Sequence, residues 1–134
     1  IAVGADSLQS NTTGFRNIAV GCTALYSNTT GQLNTAVGTQ TLYTNSSGCQ
    51  NTASGYNALF YNTTGCQNVA FGRSTLQSNT TANQNVAVGA CSLYANTTGA
   101  SLVAVGYNAL KSSTCANCST AVGHQALMDQ RKQM

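Results

Sequence analysis

The sequence has no proline, no tryptophan and a single histidine, and only 5% of its 134 residues are charged. Charged residues make up about a quarter of an ordinary soluble domain. Charge is therefore not what keeps this chain in solution. Ser, Thr, Asn and Gln supply most of its polarity instead. This balance is more typical of stacked-β or fibrous proteins than of a cytosolic enzyme.

The scarcity of charge also excludes classes of partner. The net charge is +3, and two of the five cations, Arg131 and Lys132, stand in the last four residues, so there is no basic stripe of the kind that binds nucleic acid. No apolar run approaches the roughly 20 residues that span a bilayer, and we expect no membrane insertion. The chain begins at Ile1 without a basic-then-apolar signal segment, which favours a mature or excised piece of a longer product.

Residues for catalysis or metal binding are few. His124 is near the carboxyl end, while Asp6 and Asp129 stand at opposite ends, so no acid/base couple is indicated. A nucleophilic pair of His124 with Cys115 or Cys118 lacks a residue to orient the base. A zinc site at the same two cysteines lacks two ligands. We therefore predict that the protein is not an enzyme and has no metal or cofactor.

What the chain does have is a 17-residue period. Glycine recurs eight times at this spacing, with Ala two residues before it and Leu four residues after it in every unit. The glycines are Gly4, Gly21, Gly38, Gly55, Gly72, Gly89, Gly106 and Gly123. The alanines are Ala2, Ala19, Ala36, Ala53, Ala70, Ala87, Ala104 and Ala121, and the leucines are Leu8, Leu25, Leu42, Leu59, Leu76, Leu93, Leu110 and Leu127. Such regular repetition indicates one unit stacked on copies of itself.

A unit of 17 residues is too short for a pair of helices, which needs about 30 or more. The residues before each Gly and around each Leu are β-branched, small or aromatic, as in strands, and Asn-Thr-Thr-Gly is suited to a type I turn. We predict an all-β parallel β-solenoid or β-roll of eight coils, each a strand, a Gly corner, a second strand and a turn. Coils about 4.8 Å apart would make a rod of about 38 Å. Repeats begin at 1, 18, 35, 52, 69, 86, 103 and 120; the solenoid covers 1–127, and 128–134 form a charged tail or the start of a further segment.

Stacking places like residues on like residues. The Ala column is predicted to face inward where only a methyl group fits, and the Leu column to fill the remaining core. Two Asn columns are predicted to hydrogen-bond amide to amide along the axis. The first contains Asn11, Asn28, Asn45, Asn62, Asn79 and Asn96, and the second Asn17, Asn34, Asn51, Asn68 and Asn85.

The units NTAVGTQTLYTNSSG and NVAVGACSLYANTTG share the spacing Asn-x-Ala-x-Gly-x-x-x-Leu. They resemble the head-region repeats of trimeric autotransporter adhesins and repeats of phage or virus tail-fibre proteins, some of which end in an endosialidase-type chaperone. The resemblance covers essentially the whole chain. It implies a left-handed parallel β-roll in which three chains associate.

Two pairs of cysteines are candidates for structural disulfides. Cys49 and Cys66 are 17 residues apart, hence neighbours in adjacent coils, and Cys115 and Cys118 share one turn. Free or intermolecular thiols are the alternative. Disulfides would imply an oxidising, extracellular environment.

Two further motifs have competing interpretations. Asn-x-Ser/Thr occurs at 11, 28, 45, 62, 79, 96 and 117 and is the N-glycosylation acceptor pattern. A turn with an Asn column requires the same residues, and this is the interpretation we favour. A rank of threonines suggests ice binding, although adjacent Thr residues in a turn point in different directions. These are Thr12, Thr29, Thr63, Thr80 and Thr97.

An aromatic stripe follows the Leu column at Tyr26, Tyr43, Phe60 and Tyr94. Residues next to an inward Leu point outward, so we expect this stripe on the surface, as an interface with sister chains or with a ligand such as a glycan. Association with sister chains is the more economical interpretation, because little charge opposes it.

Together these features predict a structural fibre or filament module: an extracellular, cell-surface or virion-surface shaft or adhesin that acts by repeat stacking and lateral association. Its expected partners are further copies of itself, laterally and end to end, and cell-surface glycan. The alternative is a ligand-binding solenoid for ice or carbohydrate.

Overall fold

The computed structural model describes residues 1–114 and 117–128, and the regular elements within these ranges are eight short β-strands. They are β1 (Ala2–Val3), β2 (Ile18–Val20), β3 (Thr35–Val37), β4 (Thr52–Ser54), β5 (Val69–Phe71), β6 (Val86–Val88), β7 (Val103–Val105) and β8 (Thr120–Val122). Each contains one alanine of the Ala column, flanked mostly by β-branched residues that favour extended backbone.

The strands form one parallel sheet in the order β1-β2-β3-β4-β5-β6-β7-β8. The register is one repeat per strand, so that Ala19 pairs with Ala2 on one side and Ala36 on the other. The Ala19 N–H donates to the Ile1 carbonyl at 2.8 Å, and the equivalent bonds recur along the sheet. The predicted parallel β-solenoid is confirmed, with one coil per 17-residue unit.

The predicted second strand around each leucine is wrong. In the first coil the Ser7 N–H donates to the Gly4 carbonyl at 3.4 Å and the Asn11 N–H to the Leu8 carbonyl at 3.2 Å, so this segment consists of turns. The φ angles of Asp6 and Leu8 are 56° and 53°, in the left-handed region that interrupts an extended run. Each coil therefore has one strand and bends over most of its remaining length.

The Gly column forms a close corner between coils. Gly21 has φ 136°, and a Cβ added there would lie 2.5 Å from the Gly38 carbonyl oxygen of the next coil. A side chain at this position would force the two coils apart, and the positive φ, which is found at all eight glycines of the column, also favours glycine.

The Asn-Thr-Thr-Gly segment is not closed by the backbone bond of a type I turn. In the second coil, the Asn28 Nδ2 donates to the Gly31 carbonyl at 3.0 Å. The backbone N–H groups of Thr29, Thr30 and Gly31 all donate to the Ser46 carbonyl of the next coil, at 3.0, 3.0 and 3.1 Å. The segment is therefore closed by its own side chain, and its backbone donors join it to the neighbouring coil.

The core is a narrow interior filled by the two apolar columns. Fully buried members are Ala19, Ala36, Ala53, Ala70, Ala87, Ala104, Leu25, Leu42, Leu59, Leu76, Leu93 and Leu110. Ala121 is buried, whereas Ala2 and Leu127 are exposed and Leu8 is half-buried, because these belong to the outermost described coils. Ala24, Ala58 and Ala109 form part of a third buried column that the sequence pattern did not single out, because Ser and Thr alternate with Ala there.

The eighth coil extends one residue beyond the predicted boundary. The Ser112 N–H donates to the Met128 carbonyl at 3.0 Å, so Met128 is stacked on the seventh coil rather than beginning a tail. The rest of the predicted tail, 129–134, lies outside the described residues, as does Cys115.

Candidate functional site

The first Asn column is a continuous ladder of side-chain amides. Asn28, Asn45, Asn62 and Asn79 each donate Nδ2 to the Oδ1 of the Asn one coil earlier at 2.8 Å, and Asn96 does so at 3.2 Å. The Asn28 to Asn96 members of the column are fully buried. Each amide therefore satisfies the next one in a place that water does not reach.

The second Asn column bonds differently. The Oδ1 of Asn17 accepts the backbone N–H of Asn34 at 3.0 Å, and the Asn17 Nδ2 donates to the Gly31 carbonyl at 2.8 Å. This pattern repeats up to Asn85, whose Oδ1 accepts from the backbone N–H of Leu102 at 3.0 Å. Here the amides bind mainly backbone of the next coil, and Asn51 and Asn68 also donate Nδ2 to the Oδ1 of the Asn one coil earlier at 3.2 Å. These bonds hold neighbouring coils in register.

The ladder explains the repeated Asn-x-Ser/Thr motif. In the second to sixth coils, the Nδ2 group that a glycan would modify lies inside the coil and donates two hydrogen bonds, as at Asn45. Asn11 is half-buried, and Asn117 is exposed. Among these acceptor motifs, Asn117 thus has the only asparagine side chain exposed on the surface of the folded chain, within the described residues.

The Thr rank is used for stacking. The hydroxyl groups of Thr12, Thr29, Thr63, Thr80 and Thr97 each donate to the carbonyl of the equivalent residue in the next coil, at 2.9 to 3.2 Å. The adjacent Thr residues, such as Thr30 and Thr64, are exposed. The hydroxyl protons of the threonines that suggested ice binding are therefore already donated to carbonyl groups within the protein.

Cys49 and Cys66 lie next to each other, as the period predicts. Their sulfur atoms are 2.7 Å apart, both residues are thiols, and the Cys49 backbone N–H donates to the Cys66 sulfur at 3.0 Å. The hydrogen bond that the Cys49 thiol shares with Cys66, together with burial and the negative charge on Cys66, raises the pKa of the Cys49 thiol to about 11. A disulfide between them remains a prediction. Cys118 is an exposed thiol, and its predicted partner Cys115 is outside the described residues.

The aromatic stripe is a stacked ladder. The Tyr26 and Tyr43 rings are 5.0 Å apart and 5° from parallel, and Tyr43 and Phe60 are 5.0 Å apart at 6°. All four members, including Tyr94, are half-buried rather than exposed. The Tyr26, Tyr43 and Phe60 rings therefore contact one another along the axis, and much of the area expected to face a partner is already covered.

A different surface has exposed apolar side chains at some of its positions. The inward Ala of each strand leaves the residues before and after it pointing outward, and we call these two columns the sheet face. The first column is Ile1, Ile18, Thr35, Thr52, Val69, Val86, Val103 and Thr120; the second is Val3, Val20, Val37, Ser54, Phe71, Val88, Val105 and Val122. The alternation around the Ala column could have revealed this face from the sequence.

The described residues offer little for catalysis. His124 is exposed and contacts the Tyr107 ring edge-on, with centroids 5.4 Å apart. Within 1–114 and 117–128, no group of three His, Cys, Asp or Glu side chains is placed to hold a metal ion. The same ranges contain no helix of the length and hydropathy needed to cross a membrane.

Comparison with protein-family models, curated proteins and solved structures finds no match to this chain.

Proposed function

We propose that the chain is a structural fibre or shaft module that acts outside the cell or on a virion surface, by stacking its coils and associating laterally with further copies. The observation that carries this proposal is that most hydrogen bonds of the side-chain amides, the hydroxyl groups and the backbone of the turns join one coil to the next. Such a molecule is a rod whose structure repeats along its axis, and its surface, not an enclosed site, meets other molecules.

The rod also has features that favour association. The exposed large apolar side chains include Val37, Phe71 and Val88 on the sheet face, and the whole chain carries only 5% charged residues. Exposed apolar surface together with little charge favours contacts between molecules over isolation in water. The resemblance to adhesin and tail-fibre repeats supports the same proposal and suggests three chains as one assembly.

The alternative proposal is a solenoid that binds ice or carbohydrate. The engaged hydroxyls of Thr29 and Thr63 make an ice-binding Thr rank less favourable, since those groups already donate to carbonyls. We therefore place the structural proposal first.

Electron microscopy of the purified protein, with sedimentation velocity in parallel, tests the proposal. We expect uniform filaments, or laterally associated rods larger than one 13.7 kDa chain. Monomeric rods at every concentration would exclude the structural proposal. Ice crystals shaped by the protein would instead support the alternative.

A further inference from the structure

The sheet face has an unusual composition for a surface whose residues are exposed or half-buried. Twelve of its 16 residues are Val, Ile or Phe, the other four are Thr or Ser, and none is charged. In the interior of the face Ile18, Val37, Phe71 and Val88 keep exposed fractions of 37%, 40%, 43% and 37%. Within the described residues the charged side chains are Asp6, Arg16, Arg73 and Lys111. They lie outside the two columns, so no charged side chain on the face repels a partner.

The size of the face fits a weak, specific contact. Two columns about 38 Å long and roughly 11 Å wide cover about 400 Å², in the range of the largest apolar patch on a monomer. Two such faces together would remove about 800 to 900 Å² from water, below the roughly 1,200 Å² of standard stable complexes. We therefore expect an association that is reversible at micromolar concentrations.

The regular spacing of side chains along the sheet face favours a binding partner with the same spacing. Its side chains repeat at the distance between parallel strands, about 4.8 Å, over all eight strands. A surface with the same repeat can pack against it at every rung, and a second copy of this chain has that repeat. Two sheets packed face to face, about 10 Å apart, are a common arrangement of β-proteins.

The second column of the sheet face also indicates how two copies would be oriented relative to each other. It is valine in six of its eight positions, but Ser54 and Phe71, which are paired neighbours in β4 and β5, provide a hole and a knob. If two copies are related by a twofold axis that is parallel to the strands and passes between β4 and β5, their coils run in opposite directions. Phe71 of each copy then lies over Ser54 of the partner subunit, and the contact occurs twice.

The opposite orientation is less complementary. With both rods running the same way, a twofold axis along the rod places the second column over the first column of the other copy. Phe71 would then face Val69 of the partner subunit, and Ser54 would face Thr52 of the partner subunit. The large side chain would meet another branched one, and the small side chain would leave a gap.

We propose that the sheet face binds a second copy of the chain, with the two rods antiparallel and Phe71 seated over Ser54 of the partner subunit. This inference rests on the lateral association in the proposed function and names the surface that carries it. It replaces the aromatic stripe, whose residues are half-buried and three of whose rings stack on one another, as the principal lateral contact.

A charge on the face tests the surface. Val88→Glu places a carboxylate in the proposed contact, and Ser47→Glu, on an exposed turn, is the matched control. Sedimentation velocity between about 1 and 300 µM should show wild type and Ser47→Glu pairing, with Val88→Glu weakened at least about tenfold because its charge would be buried unpaired. Circular dichroism should show all three folded.

The outcomes separate the two proposals. A wild type that stays monomeric throughout would overturn both the lateral association and this inference. A Val88→Glu variant that associates as wild type does would overturn the inference alone. Binding of monomeric wild type to phosphatidylcholine vesicles, lost in Val88→Glu, would assign the face to lipid and likewise overturn pairing.

An exchange of knob and hole tests the orientation. Ser54→Phe should weaken pairing about tenfold, because two phenylalanines would then meet at each contact. The double variant Ser54→Phe with Phe71→Ser restores a knob opposite a hole, and we expect its affinity to return to within about threefold of wild type. Failure of the double variant to recover would exclude the antiparallel arrangement.

Discussion

At the scale of single residues, the least expected feature is the backbone of the Leu column. Leu25 has φ 52° and Leu42 has φ 54°, where a side chain costs about 1 to 2 kcal/mol. Complete burial of a leucine contributes about 1.5 to 3 kcal/mol, and the Leu25 N–H also donates to the Thr41 carbonyl of the next coil at 3.0 Å. Burial therefore outweighs the strain, and leucine rather than glycine occupies the position.

Ser113 is where the first Asn column ends. It stands one repeat after Asn96, and its buried hydroxyl has no hydrogen-bond partner within residues 1–114 and 117–128. Ser113→Asn would bring an amide that can donate to the Asn96 Oδ1, as the Asn residues of earlier coils do. We expect the free energy of unfolding to rise by about 1 kcal/mol, measured by urea denaturation.

The control for this change is Ser113→Ala. It removes the unsatisfied hydroxyl without extending the ladder, and we expect it to be neutral or slightly stabilising. If Ser113→Asn were less stable than Ser113→Ala, the ladder would not accept a seventh member.

The thiol of Cys49 should react slowly at neutral pH. Its pKa is raised to about 11 by Cys66 and by burial, so the thiolate, which is the nucleophile, is scarce at lower pH. In the reduced protein, the alkylation rate at Cys49, followed by mass spectrometry of peptides, should rise about tenfold per pH unit until the pH nears 11.

Cys66→Ser is the informative control for Cys49. It removes the neighbouring thiol, so the pKa of Cys49 should fall and alkylation at a given pH should become faster. An inflection near the ordinary thiol value of about 8.5 in the wild type would contradict this assignment.

At the scale of elements, the strands are too short to be stable alone. Seven of the eight strands have three residues and β1 has two. An isolated pair of strands is only marginally stable in water, so strands this short need other contacts between the coils. The Asn columns run perpendicular to the strands and join the coils where there is no sheet. Neighbouring coils are thus held together both by the hydrogen bonds of the sheet and by those of the Asn columns.

Interrupting a ladder at its middle should be costly. Asn62 donates to the Asn45 Oδ1 at 2.8 Å and to the Gly65 carbonyl at 3.0 Å, and accepts from Asn79 at 2.8 Å. Asn62→Ala leaves buried groups on both neighbouring amides without a partner. We expect a loss of about 3 kcal/mol in the free energy of unfolding.

The exposed Thr64 provides the comparison for Asn62. Thr64→Ala should change stability by no more than about 0.5 kcal/mol, in the same denaturation experiment. A loss this small for Asn62→Ala would mean that the ladder contributes little.

At the scale of the whole molecule, each described strand contacts only the strands of the adjacent coils. Removal of the 17 residues 52–68 joins Asn51 to Val69 and leaves every column in phase. We expect this variant to fold, with a lower melting temperature because one interface between coils is lost.

Removal of nine residues, 52–60, is the matched control for this deletion. It places unlike residues over one another in every column, and we expect loss of the β-type circular dichroism spectrum. If both deletions behaved alike, the coils would not be stacked in the register that the sheet shows.

The sequence by itself determined the class of fold, the 17-residue period, the stacking of Cys49 on Cys66 and the residues that are aligned from coil to coil. It could do so because a constant period places like residues over one another whatever the path of the coil. Only the tertiary structure decided that residues around each Leu form turns rather than a strand, that the Asn amides point inward, and that the aromatic stripe is half-buried while the sheet face has exposed apolar side chains. These depend on left-handed φ angles at residues such as Asp6 and Leu8, and on bonds to neighbouring coils, which no local segment contains.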